Sequence, residues 1–228
     1  MQPNIENNLK EIEEDIKKYS KNGAKLLPVT KTHPVEYIMK AYNLGYRDFG
    51  ENKVQEILRK KELLPQDINW HLIGHLQTNK VNKIVGVAKL IHSVDSIKLL
   101  KKINSRANEL SIIQDVLLEL NISGEDSKSG FDNEDSFKEI IKEISDLNSI
   151  SIKGLMTMAP NIEDEEEIRE IFKKAKKIFD YLSKISYNNF DIRYLSMGMT
   201  NDYIIALQQG ANIIRVGSKI FGKRNYDV

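Results

Sequence analysis

Three short stretches carry residues able to act together on one small molecule. The first is Lys25-Leu26-Leu27-Pro28-Val29-Thr30-Lys31, an apolar run suited to a buried strand that ends abruptly in a lysine. A lysine partly desolvated at the end of such a strand has its ammonium form disfavoured, and the free amine attacks a carbonyl and holds it as a Schiff base. Alone, Lys31 reads equally well as the start of an ordinary loop. The other two stretches, Ser196-Met197-Gly198-Met199-Thr200 and Arg215-Val216-Gly217-Ser218, shift that balance. Ser196 and Ser218 bring hydroxyls, and Gly198 and Gly217 bring backbone N–H groups with no side chain in the way, which is the chemistry of a phosphate cradle. Single glycines more often mark tight turns, so the pairing of the two stretches carries the reading. Of the four histidines, His33, His71, His75 and His92, only His71 and His75 stand four apart, and they flank a predicted strand end rather than sharing a helix face, so no metal is expected.

Hydrophobic periodicity predicts the elements that position these residues. Ile5, Leu9, Ile12, Ile16 and Tyr19 recur at spacings of four and three, giving a helix that precedes any strand. Strands are predicted over 26–30, 47–49, 70–73, 90–92, 115–121, 152–156, 192–195 and 212–216. Helical patterns separate them, one opened by Pro34 and closed by Gly45, another capped near Ser96. The acidic run 163–167 and the lysines at 173, 174, 176 and 177 match the two ends of one helix dipole. Eight strands alternating with helices imply parallel pairing with right-handed crossovers, and that count favours a closed (β/α)8 TIM barrel over an open sheet. The expectation is an α/β protein, one barrel spanning 1–228 as a single domain with an extra N-terminal helix.

In such a barrel the segments after the strands face one rim, where ligands bind. Lys31, Asn52, His75, Ser93, Lys128, Met158, the turn from Ser196 to Thr200, and Gly217-Ser218 would all lie there. Phosphate sites favour the loops after strands seven and eight, where Ser196 with Gly198 and Gly217 with Ser218 stand. Lys128, in the polar loop after strand five, would draw the phosphate in or out, although it also reads as a solvated loop lysine. Composition narrows the partners. The 34 basic and 33 acidic side chains nearly cancel without forming blocks, so no nucleic acid is expected. No apolar run approaches membrane-spanning length and the start has no leader pattern, so neither a membrane nor export is expected. The absence of cysteine removes disulfides and thiol chemistry and agrees with a cytoplasmic location.

A carbonyl-trapping lysine on strand one facing a phosphate site on strands seven and eight is the geometry expected for pyridoxal 5'-phosphate. Arg215 would then lie under the ring and meet its nitrogen, leaving it unprotonated because a guanidinium has no proton to spare near neutral pH. Its other reading is a buried ion-pair partner.

At this point a resemblance becomes specific. Leu27 to Thr32, Phe49-Gly50-Glu51-Asn52, Trp70 to Gly74 followed by Gln77 to Lys80, Asn121-Ile122-Ser123, Ser127-Lys128-Ser129-Gly130, Gly154-Leu155-Met156, Ser196 to Met199 and Arg215 to Ser218 occur in order over nearly the whole chain. Together they are similar to the pyridoxal phosphate homeostasis proteins, single-domain relatives of the alanine racemase barrel. The resemblance implies that Lys31 is the Schiff-base lysine, that Ser196, Gly198, Gly217 and Ser218 hold the phosphate, and that Arg215 faces the ring nitrogen. It also implies that Asn52, His71 and Met156 line the site. His71 and Trp70 read equally as core residues.

The function implied is a carrier of pyridoxal phosphate in vitamin B6 homeostasis, without substantial catalysis and with pyridoxal phosphate-dependent apo-enzymes as recipients. The first alternative is a minimal amino-acid racemase. Racemase-like relatives bring a second acid–base group from an added β domain, and with Val228 six residues after Gly222 no such domain is expected here. The second alternative, a Schiff-base aldolase acting without cofactor, gives Arg215 no obvious role.

Overall fold

In the computed structural model, which describes residues 3–122, 141–160 and 162–222, eight parallel strands form one sheet in the order β1-β8-β7-β6-β5-β4-β3-β2. They are β1 (Lys25–Pro28), β2 (Asp48–Glu51), β3 (Asn69–Leu72), β4 (Leu90–Val94), β5 (Gln114–Leu120), β6 (Ile150–Thr157), β7 (Phe190–Ser196) and β8 (Ile213–Val216). Between them run α2 (Val35–Asn43), α3 (Val54–Leu63), α4 (Val81–Ile84), α5 (Ile97–Glu109), α6 (141–145), α7 (Glu165–Leu182) and α8 (Tyr203–Gln208). β1 pairs with β8 from Lys25↔Ile213 to Pro28↔Val216, and Val29 bridges to Gly50 on β2, so the sheet comes round into a nearly closed barrel. Lys128, the loop 123–130 and the apolar positions Phe137 and Ile140 lie outside the described residues.

The strands read as near-continuous apolar runs because both faces are buried, one by helices and one by the barrel interior. Alternation sorts them. On β3, Trp70 packs outward among the helix-facing core against Phe49, while His71 points inward. Leu90, Leu117 and Met156 form a separate small cluster inside the barrel.

Helix α1 (Ile5–Tyr19) begins at Asn4, whose side chain accepts from the Asn7 N–H, and buries Ile5, Leu9, Ile12 and Ile16. It packs beside α2, α8 and the short α9 (Ser218–Phe221). Asn8 Nδ2 donates to Ile220 O at 2.9 Å, and Asp15 receives the Tyr203 hydroxyl. The chain therefore uses its first helix to cover the flank of β8 that one turn of α9 leaves open.

Pro34 opens α2 as expected, as its N-cap residue. One local expectation is corrected. The lysines at 173–177 do not end α7, which continues to Leu182 and has no basic residue in its last turn. Their charge is answered by neighbours along the helix, Lys173 by Glu170 and Lys176 by Asp180. The acidic end is as expected, with Asp164 Oδ1 accepting from the Glu166 and Glu167 N–H groups. Among the described residues no helix is long and apolar enough to cross a membrane.

β6 shifts register against both neighbours, and Gly154 sits at one of the shifts with φ +143°. A Cβ there would lie 1.9 Å from the Tyr194 carbonyl oxygen, a backbone atom with nowhere to move. Gly154→Ala is expected to cost at least about 2 kcal/mol, from backbone strain plus overpacking. Denaturant unfolding of the variant checks this.

Candidate functional site

A cavity of about 670 Å³ opens at the carboxyl ends of the strands. Each segment that reaches it leaves its strand for a physical reason. After β1, the Thr30 N–H donates to Gly50 O at 2.9 Å and its hydroxyl donates to Glu51 at 2.5 Å. Thr30 O accepts from the buried Lys60 ammonium at 2.7 Å, which also meets Glu51 at 2.6 Å. Thr32 then takes φ +64°, a left-handed conformation costly for a β-branched residue, with its N–H held by Glu56 at 2.9 Å. The half-buried Lys31, between two fixed residues, lines the cavity.

Asn52 lines the same cavity after β2, and Gly74 lets the exit of β3 lie against it. A Cβ on Gly74 would come within 2.3 Å of Asn52 O. Gly217 has the same use after β8, where a Cβ would stand 3.0 Å from Val29 O and push β1 away. Gly217, Ser218, Thr200 and Met158 complete the expected rim residues found at the cavity, and the Ser218 hydroxyl donates to that of Thr200 at 3.1 Å. His75 and Ser93 stand elsewhere: His75 pairs with Asp95 at 3.0 Å, and Ser93 donates to Gly74 O at 2.7 Å.

Arg215 lies at the cavity floor, 3% exposed. It donates through one terminal nitrogen to Ser196 Oγ at 2.8 Å and through the other to Thr157 O at 2.9 Å. Burial pushes its pKa down to about 10, against the pull of Asp202 and Glu119, so it stays cationic at neutral pH. Glu119 on β5 is moved the other way, up to about 7, by burial reinforced by Asp95 and opposed by Arg215.

Of the residues expected to hold the cofactor, Ser196, Gly198, Met156 and His71 do not line the cavity. Ser196 is fully buried and its oxygen is taken by Arg215 and by His92, at 3.1 Å, so the expected contact of its hydroxyl with phosphate does not fit its position. The hydroxyl that does face the cavity from this turn is that of Thr200. Gly198, at φ +89°, serves packing: a Cβ would lie 2.5 Å from Ala206 Cβ on α8. Met156 is in the interior cluster below. His71 is deeper still, bonded through Nδ1 to His92 Nε2 at 2.9 Å and through Nε2 to Asp48 Oδ1 at 3.0 Å. Asp48 in turn meets Lys25 at 2.7 Å, at the start of β1.

A polar chain thus runs through the barrel from Arg215 by way of Ser196, His92 and His71 to Asp48. Sequence reasoning missed it, although a partial signal exists. His71 and Arg215 are each a polar residue set singly between apolar neighbours in a strand, and the inward face of a barrel is where such residues meet.

The family model for the alanine racemase N-terminal domain matches residues 2–225. A pyridoxal phosphate homeostasis protein of Aquifex aeolicus is 43% identical over 206 residues, covering 90% of this chain and 89% of the relative. The solved structure of PipY from Synechococcus elongatus without PLP superposes with a TM-score of 0.87, and the one with PLP bound with 0.83. Both are 33% identical and cover 96% of this chain and all of the other. An alanine racemase of Clostridium difficile shares the fold alone, at 19% identity and a TM-score of 0.78, with 58% of its chain covered. By the span of the family model and the identity to its curated relatives, the chain belongs to the alanine racemase N-terminal domain family and, within it, with the pyridoxal phosphate homeostasis proteins.

Proposed function

We propose that the protein binds pyridoxal 5'-phosphate in this cavity, the whole chain acting as one cytoplasmic binding domain that keeps the cofactor available to pyridoxal phosphate-dependent apo-enzymes. The observation that carries this reading is the convergence of Lys31, Arg215 and the Thr200–Ser218 hydroxyl pair on one cavity. Pyridoxal phosphate, when bound, supplies an aldehyde that a primary amine captures and a ring that accepts electrons. Lys31 is the amine. Thr200, Ser218 and the backbone around Gly217 take the phosphate, and the first turn of α9 leaves N–H groups for the same anion. Arg215 meets the ring nitrogen from the floor, and Asn52 lines the side. Ser196, Gly198, His71 and Met156 support these residues from beneath.

The same arrangement argues for holding rather than turnover. A donor-only guanidinium leaves the ring nitrogen without a proton, which makes the ring a weaker electron sink. Racemisation also needs an acid on the face opposite Lys31; among the described residues no tyrosine lines the cavity, and the acids that do are His33, Glu163, Glu165 and Asp202. A general acid or base typically contributes about 10²–10⁴-fold, so turnover on a weak sink would need one of these in place.

Protein given pyridoxal phosphate is expected to be yellow, with borohydride fixing a covalent adduct to the peptide that contains Lys31. The same adduct in Lys31→Ala would end the assignment. Thr200→Ala and Ser218→Ala each remove a hydroxyl from a partly solvated anion site. A hydrogen bond to a charged group contributes about 1.5–3 kcal/mol, so each should loosen retention by roughly one to two decades. Ser196→Ala should loosen it less than either; equilibrium dialysis ranks the three. Incubated with alanine or serine in D2O, the loaded protein should show no rapid Cα–H exchange. Fast exchange with racemisation would make the protein a minimal racemase.

A further inference from the structure

We propose that Asp48, His71 and His92 are positioning residues for Arg215, forming with Ser196 a hydrogen-bond chain whose donors all point one way, from the guanidinium to the carboxylate at the far end of the barrel. The two ends dictate the direction. Arg215 has donors only and an ionised carboxylate has acceptors only. Asp48 is ionised: burial opposes it, yet hydrogen bonds from His71 and Lys25 hold its carboxyl at about 2.

Between these ends the proton positions follow in order. His71 gives its Nε2–H to Asp48 at 3.0 Å, which leaves a lone pair on Nδ1. His92 fills that lone pair with its own Nε2–H at 2.9 Å, and so presents a lone pair on Nδ1 to Ser196 at 3.1 Å. The Ser196 hydroxyl donates there and accepts from Arg215 at 2.8 Å. No other arrangement of two neutral imidazoles satisfies every link. Ser196 and His92 are fully buried and His71 is 4% exposed, so the links are shielded from solvent.

Burial holds both imidazoles below the usual histidine value of 6.5, and nearby cations act in the same sense: Lys25 and Lys89 at His71, Arg215 at His92. Asp48 alone pulls His71 upward. Glu119 on β5 and Asp202 before α8 face Arg215 itself. A proton gained by either imidazole reverses the links beyond it. His92 would then donate to Ser196 through Nδ1, and the Ser196 hydroxyl proton would lose its acceptor. In the neutral state the Ser196 oxygen cannot turn, and with Thr157 O it fixes the plane in which Arg215 reaches the cavity.

The consequence at the ring rests on the cofactor reading, but the chain itself does not. Two-bond 1H–15N spectra of the full, histidine-labelled chain without cofactor report each imidazole's tautomer. Above pH 6.5, the usual histidine value, His71 and His92 should both be neutral with the proton on Nε2. A proton on Nδ1 of either one in the parent overturns the proposal. Asp48→Asn replaces the acceptor-only end with an amide that can donate, so His92, two links from residue 48, should become a mixture of tautomers. Ser196→Ala cuts the link to Arg215 and should leave both tautomers as in the parent, because the carboxylate end alone suffices to set the order. Unchanged tautomers in a folded Asp48→Asn overturn the proposal. Should that variant fail to fold, the parent and Ser196→Ala spectra still decide. With pyridoxal phosphate added, Asp48→Asn should shift the visible band and loosen retention about tenfold, the equivalent of one weakened charged hydrogen bond. An unmoved band with altered tautomers overturns the positioning of Arg215. No band in the parent defeats the cofactor reading instead, and the tautomers alone then judge the chain.

Discussion

A guanidinium inside a barrel is the constraint on which the rest of this structure depends. Arg215 is taken from water on β8, where an unanswered charge would cost far more than the few kcal/mol by which a domain is stable. The answer comes from several strands at once. Ser196 on β7 and the Thr157 carbonyl on β6 accept its hydrogen bonds, and Glu119 on β5 and Asp202 before α8 supply opposite charge. Because each acceptor sits on a different strand, the geometry of the cavity floor is inseparable from the closure of the barrel.

A second buried cation does the same for the other wall. Lys60, 1% exposed on α3, gathers the Thr30 carbonyl, Glu51 and Glu56 beneath the turn that carries Lys31. Burial pushes the Glu51 carboxyl up to about 7 against the pull of Lys60. Breaking a buried pair of this kind by deleting one partner typically costs about 3–5 kcal/mol, and here it would also release Thr30 and, through Glu56, Thr32. Lys31 and Arg215 are thus placed by two separate buried polar clusters, one on the β1–β2 side and one spanning β5 to β8.

The barrel was legible in the sequence because eight apolar runs alternate with helical stripes, and the observed strands fall within two residues of those expected at every end. Lys31, Asn52, Arg215, Gly217 and Ser218 were legible because a strand end fixes which rim a residue reaches. Ser196 was misplaced for a related reason. It is the last residue of β7, where one residue decides between the interior and the mouth, and Thr200, four residues on, holds the position at the mouth. The chain through His71, His92 and Asp48 was at most partly legible: an isolated polar residue in an apolar strand stands out, but strands buried on both faces do not reveal which face is the barrel interior. Spacing along the chain does not bring His71 and His92 together, because they are neighbours across strands. At α7 the dipole reading holds at the acidic end and fails at the basic one, because the lysines lie in mid-helix and are answered locally by Glu170 and Asp180.

The nearly closed sheet has a seam, and its position matters. β1 and β2 meet through the Val29–Gly50 bridge and the Thr30 amide, and the residue after Thr30 is Lys31. Local opening of a fold starts where few backbone bonds cross a boundary. The lysine that would hold a ligand therefore stands directly at this seam, and the buried Lys60–Glu51 cluster that holds Thr30 is what ties the two strands together there.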